Sequence, residues 1–194
     1  MNHKAPERIS FNIQRELKRT LFCIVIALIL PFVHDAKEAQ GKETIEVYFS
    51  PQGRCEKAII QEIENAKDSI HIAMFHFTNG RIARALTKAS KKGIDVKVIL
   101  DKEKASGSYS KSKFLLNKGL HIQFREGIQR RGRDNKIGLM HNKFVIIDGK
   151  IVITGSYNWT ASAELWNYEN LLIIWSAKIA KLFEMEFMRL WTKK

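Results

Sequence analysis

Residues 140–160 read MHNKFVIIDGKIVITGSYNWT, and His141, Lys143, Ser156 and Asn158 within them are the side chains whose types suit work on a phosphoryl group. Lys143, Ser156 and Asn158 can donate hydrogen bonds to phosphate oxygens, while histidine near neutral pH is a nucleophile when neutral and an acid when protonated. Glu169, in NYEN, is the nearby carboxylate able to hold the tautomer of His141. Two apolar, β-branched runs flank Asp148 and Gly149, a dipeptide suited to the positive φ angles of a two-residue type I′ turn. Such a turn pairs Ile147 with Lys150, Val145 with Val152, Lys143 with Thr154 and His141 with Ser156. It therefore gathers His141, Lys143 and Ser156 on one face. Asp148 points the other way and reads as a residue that fixes the turn. A three-residue loop slips this register by one and dissolves the cluster. The plain alternative is a core histidine beside an incidental lysine, but two residues costly to bury on one face of an apolar hairpin favour a phosphate site. No carboxylate cluster or histidine pair suggests a metal, and no cofactor is expected.

The preceding segment, GIQRRGRDNKIGLM, reads as a long basic loop. Arg130, Arg131, Arg133 and Lys136 place four cations in seven residues and are candidate substrate contacts. A merely solvated loop is the alternative.

These residues need a frame. IEVYF, SIHIAMF and IDVKVIL read as strands, alternating with helices over 56–67 and 79–92. A polar stretch after Asp101 leads to a short helix ending at Asn117 and a strand LHIQF, and the chain closes with strand LLIIW and an amphipathic helix from about Ala177 to Trp191. Alternation of this kind predicts an α/β fold with a mixed, largely parallel β-sheet and helices on both faces.

At 45% hydrophobic and 27% charged residues with three prolines, the 194-residue chain is neither disordered nor collagenous. Cys23 and Cys55 alone exclude a disulfide framework; Cys55, beside Ala58, Ile59 and Ile60, reads as buried. Residues 21–33, LFCIVIALILPFV, follow Lys18 and Arg19 and are too short for a comfortable span, which fits a secretory signal or a membrane anchor. Residues 1–40 are thus read as a targeting segment and 41–194 as the working domain, placing the protein in the periplasm, the cell envelope or outside the cell. Removing six basic and four acidic residues with that segment leaves 27 Lys+Arg against 16 Asp+Glu, a net charge of +11. An acidic partner is implied, either nucleic acid or an anionic lipid surface.

His141, Lys143, Asp148, Gly155 and Ser156 also fit HxK(x)4D(x)6GS, and the chain resembles the phospholipase D superfamily through this HKD motif. The likeness runs from about Glu46 through GLMHNKF and GSYNWT to YENLLII, nearest to the small single-motif branch of bacterial endonucleases and mitochondrial cardiolipin hydrolase. It implies metal-free phosphodiester hydrolysis through a phosphohistidine. Two such motifs build one site, so the resemblance implies a homodimer with a His141 from each subunit. It further implies Lys143 and Asn158 as phosphate binders, Ser156 as a supporting donor, Glu169 as the group orienting His141, and Asp148 and Gly155 as motif members. The mitochondrial relatives carry a zinc-binding cysteine cluster that Cys55 alone cannot supply.

Three functions remain in play. A non-specific endonuclease on DNA or RNA uses the arginine segment as a phosphate track. A phospholipase D or cardiolipin-type lipid hydrolase uses it on anionic headgroups at a membrane reached through residues 21–33; the apolar residues near the motif that would serve it are Ile137, Leu139 and Met140. A non-catalytic basic envelope protein that binds nucleic acid is the third, and the intact His, Lys, Ser, Asn and Glu set argues against it.

Overall fold

The computed structural model describes residues 43–129 and 136–193. Residues 1–40, read above as a targeting segment, lie outside the described residues, as do Arg130, Arg131 and Arg133. In chain order the elements are β1 (Thr44–Ser50), α1 (Cys55–Asn65), β2 (Ser69–Met74), α2 (Gly80–Lys91), β3 (Asp95–Asp101), α3 (Lys102–Ser106), α4 (Ser112–Asn117), β4 (His121–Gln129), β5 (Ile137–Leu139), β6 (Lys143–Ile147), β7 (Ile151–Gly155), α5 (Ala161–Leu165), β8 (Glu169–Trp175) and α6 (Ala177–Thr192).

The strands form one sheet in the order β1-β8-β7-β6-β2-β3-β4-β5. Only β2 with β3 and β3 with β4 pair in parallel; the other neighbours are antiparallel. The sheet is thus mixed but not largely parallel as expected. Helical crossovers join β2, β3 and β4 alone, whereas the β6–β7 hairpin, β8 and β1 enter as antiparallel neighbours.

Helices cover both faces. Ile59 and Ile63 of α1 and Ile82 and Leu86 of α2 pack on Ile70, Ile72, Val98, Val145 and Ile153. On the opposite face Ala180, Phe187 and Leu190 of α6 pack on Ala73, Ile99, Phe144, Ile146 and Val152. Central strands covered on both sides are apolar throughout, which is why KFVII and IVITG show no alternation. Helix ends follow local chemistry: the Asn79 side chain accepts the N–H groups of Arg81 (2.8 Å) and Ile82 (3.0 Å) to start α2. Gly93, at φ 90°, stands just past its end.

The segment read as a loop before His141 is partly strand. β4 extends to Gln129 and pairs with β5 through Glu126–Leu139 and Gln129–Ile137, an edge hairpin. Glycine makes the approach possible: a Cβ on Gly127 would lie 2.5 Å from the Gly138 carbonyl carbon. Lys136 is exposed just before β5.

The β6–β7 register also differs by one from that expected. Asp148 and Gly149 have φ of 52° and 61°, and the Lys150 N–H donates to the Ile147 carbonyl (3.0 Å), as in a type I′ turn. The ladder, however, pairs Ile147 with Ile151, Val145 with Ile153 and Phe144 with Thr154. Lys150 is left out as an extra residue. Pairing it with Ile147 would turn its charge toward the α1–α2 core, whereas omitting it keeps the ammonium in solvent and sends Val145 and Ile153 into one core, Ile146 and Val152 into the other.

Asp148 fixes this turn to the sheet. Its carboxylate accepts the backbone N–H groups of Lys67 (2.9 Å), Asp68 (2.8 Å) and Ser69 (3.0 Å). Burial pushes the carboxyl up, but those N–H groups and the charge of Lys150 outweigh it and hold the pKa below its usual value. A depressed folded-state pKa gives stability that is complete above the unfolded value of about 4 and is lost as pH falls through the folded value. Asp148→Asn is expected to cost about 1–3 kcal/mol of unfolding free energy at pH 7, with the gap to wild type closing in acid. A denaturant midpoint unchanged at pH 7 contradicts the assignment.

Candidate active site

β6 runs against β2 and pairs Lys143 with Met74, so the residues just before β6 lie beside those just after β2. His141 and Phe75 meet there, with ring centroids 4.4 Å apart and planes at 57°. The Phe75 N–H donates to the Asn142 carbonyl (2.9 Å), locking the two segments together. The Lys143 Nζ lies 3.4 Å from both imidazole nitrogens, 3.0 Å from the His141 carbonyl oxygen and 5.1 Å from the Phe75 ring centre. His141 is exposed and opens onto a cleft of about 430 Å³ lined by Ile128, Leu139, Asn142, Arg189 and Lys193 among others.

Burial lowers the His141 pKa, the Lys143 charge lowers it further, and Asp101 opposes both. Burial likewise lowers the Lys143 pKa, against the pull of Glu169. The outcome is an imidazole shifted toward its neutral form beside a cation, the pairing a nucleophile on phosphorus needs.

The register shift separates His141 from its expected cross-strand partner, and Ser156 is tied instead to the start of β8. Gly155, at φ 150°, brings the backbone against β8 so closely that a Cβ would lie 2.2 Å from the Asn170 carbonyl oxygen. The Ser156 N–H then donates to the Asn170 carbonyl (3.1 Å) and the Ser156 hydroxyl to Glu169 Oε2 (2.5 Å). Glu169 was expected to hold His141. Within this chain its carboxylate takes the Ser156 hydroxyl and the Asn167 amide (3.1 Å) instead, because Ser156 stands beside the start of β8. Its charge nonetheless acts on Lys143.

Asn158 sits between two buried aromatics. Tyr157 donates to Glu164 (2.6 Å), and Trp159 packs edge-on against Phe77 with centroids 4.8 Å apart. The Trp159 N–H also donates to the His76 carbonyl (3.1 Å). So anchored, the Asn158 amide has a buried Oδ1 with no hydrogen-bond partner among the described residues. Cys55 is buried, and burial pushes its thiol up to about 11, so it stays protonated. Among the described residues no three His, Cys, Asp or Glu side chains are gathered as metal ligands would be.

Sequence reasoning missed Phe75, His76, Asp101 and Lys104. Each stands at or just beyond the carboxyl end of β2 or β3, where open α/β sheets build ligand sites; that position was the available signal.

A mixed eight-stranded sheet with an HxK segment before one central strand and a GSxN turn after its neighbour defines a phospholipase D-like domain. The family model described as cardiolipin synthase, PLD-like domain, matches residues 59–191, and the chain belongs to this family. It is 33% identical over 143 residues to the phospholipase D of Rickettsia prowazekii, covering 74% of this chain and 65% of that one. It is 35% identical over 126 residues to the mitochondrial cardiolipin hydrolase of Xenopus tropicalis, covering 65% and 56%. The chain thus spans less than two thirds of the length of either relative. Among solved structures, NucT from Helicobacter pylori superposes with a TM-score of 0.73 at 27% identity, over 77% of this chain and 96% of that one. Nuc from Salmonella typhimurium, a phospholipase D family member, gives 0.67 at 30% identity over 77% and 95%.

Replacing Lys143 by Met removes the cation that disfavours imidazolium, so the His141 pKa is expected to rise. An NMR titration of the His141 ring reads this directly, and a downward or absent shift refutes the electrostatic assignment.

Proposed function

We propose that this chain is a metal-independent phosphodiesterase acting as a homodimer through a phosphohistidine at His141, with nucleic acid as its substrate and the cell envelope as its place of work. The observation that carries the reading is the exposed His141 ring with the Lys143 ammonium 3.4 Å from it at the mouth of an open cleft. In the first step an imidazole nitrogen of His141 bonds to phosphorus. The P–O bond to the leaving group breaks, and the partner subunit's His141 gives that oxygen its proton. In the second step the partner subunit's His141 takes a proton from water. The hydroxide bonds to phosphorus, the P–N bond breaks, and the electron pair returns to His141. Lys143 and the Asn158 side-chain N–H groups hold the phosphate oxygens, while the Ser156 hydroxyl stays on Glu169.

What supports the pairing is an apolar surface beside Glu169: Leu165, Trp166 and Tyr168 are 57%, 70% and 93% exposed. Large aromatics standing in water next to a site that holds one histidine suit burial against a second copy. Trp166→Asp with Tyr168→Asp is expected to leave folded, monomeric and inactive protein in light scattering and turnover assays. An active monomer removes the dimer from the proposal.

Phospholipid is the second reading, favoured by the β4–β5 hairpin. Ile128, 82% exposed, and exposed Leu139 line the cleft that contains His141, and Ile137 is exposed on the same hairpin, whereas Met140 is buried. Single-stranded DNA, duplex DNA, RNA and cardiolipin vesicles offered separately in excess EDTA decide between the two. Wild type is expected to cleave nucleic acid and His141→Ala to lose at least about 10³ of that rate. A wild type silenced by EDTA overturns the metal-independent mechanism, and headgroup release with intact nucleic acid overturns the substrate.

A further inference from the structure

We propose that Phe75 and Lys104 form a subsite for the phosphodiester next to the scissile one on a polyanionic chain, an inference that rests on the phosphodiesterase reading above. Three groups converge on the Phe75 ring: the His141 imidazole at 4.4 Å between centroids, the Lys143 Nζ at 5.1 Å and the Lys104 Nζ at 5.7 Å from the ring centre. The two ammonium groups therefore lie within about 11 Å of each other across one aromatic surface, inside the cation–π range on both sides. An anion held at His141 and Lys143 has its neighbour within reach of Lys104, whose ammonium stands over the same ring.

One buried carboxylate fixes the spacing. Asp101, 1% exposed, accepts the Met140 N–H at Oδ2 (3.0 Å) and the Lys104 N–H at Oδ1 (3.0 Å), so the residue before His141 and the backbone of Lys104 share a single anchor. The hydrogen bond from Phe75 to Asn142 closes the triangle. His76, next along from Phe75, has its pKa lowered by burial and then by the Lys104 charge, which favours a neutral ring able to donate to an ester oxygen. Lys104 pairs with Glu103 at 2.9 Å, a sequence neighbour in an exposed ion pair that an incoming phosphate can displace. None of Phe75, His76, Asp101 or Lys104 belongs to the HxK or GSxN segments.

The test compares Lys104→Gln and Lys104→Arg with wild type, as full chains in EDTA, on a thymidine dinucleotide with one phosphodiester and a thymidine decanucleotide with nine. Lys104→Gln is expected to lower the ratio of kcat/KM for the decanucleotide over the dinucleotide about fivefold, through KM, and to flatten the salt dependence of KM. Lys104→Arg is expected to restore both. An unchanged ratio, or an arginine variant that behaves like the glutamine one, overturns the subsite. Should wild type cleave neither oligonucleotide, the nuclease reading has failed, and the same ratio is taken between cardiolipin, with two phosphates, and phosphatidylglycerol, with one. A lowered ratio there supports the subsite on a lipid substrate, and an unchanged one overturns it. Turnover of none of the four refutes the phosphodiesterase reading and the subsite together.

Discussion

The antiparallel pairing of β6 on β2 is the constraint on which the site depends. Strands β2, β3 and β4 run the same way and deliver their carboxyl ends to one edge of the sheet. Because β6 runs against β2, its amino end arrives at that same edge, so the segment bearing His141 and Lys143 lands beside Phe75. A parallel β6 would carry the same residues to the opposite edge. The apolar faces on both sides of the sheet make the pairing costly to shift, since a slip by one residue exchanges every buried side chain between two different cores.

Charge and burial are settled locally around this frame. Lys150 is left out of the ladder and stays in solvent, while Asp148 is held by the backbone N–H groups of Lys67, Asp68 and Ser69 at the start of β2. At the other end of β6, Lys143 is kept partly buried beside an imidazole, with the Glu169 charge as compensation. The hairpin thus has a structural end and a chemical end. The family motif spans both, which explains how Asp148 can belong to it while standing a full strand away from His141.

Much of this was legible in the residues. The strand and helix periods located β1, α1, β2, α2, β3, β6, β7, β8 and α6, since long apolar runs between turn residues leave few other readings. Turn chemistry at Asp148 and Gly149 was legible too, but the bulge at Lys150 was not, because it answers to which core each neighbour must enter. Apart from the β6–β7 hairpin, the antiparallel pairings were hidden for a related reason: strand order depends on long-range contacts that local periods do not encode. β5 was read as loop because IGL is three residues long and carries no pattern. Asp101 and Lys104 look like an ordinary strand end and a solvated helix, and only their convergence with Met140 and Phe75 gives them meaning.

The proposed dimer sets two copies of His141 on one phosphate. Co-refolding wild type with His141→Ala in varied proportions, then measuring turnover against the wild-type fraction at constant total protein, tests that most directly. Paired histidines predict turnover that falls as the square of the wild-type fraction, because every mixed dimer is dead. A linear decline would mean that each chain works alone, and the shared site would have to be abandoned.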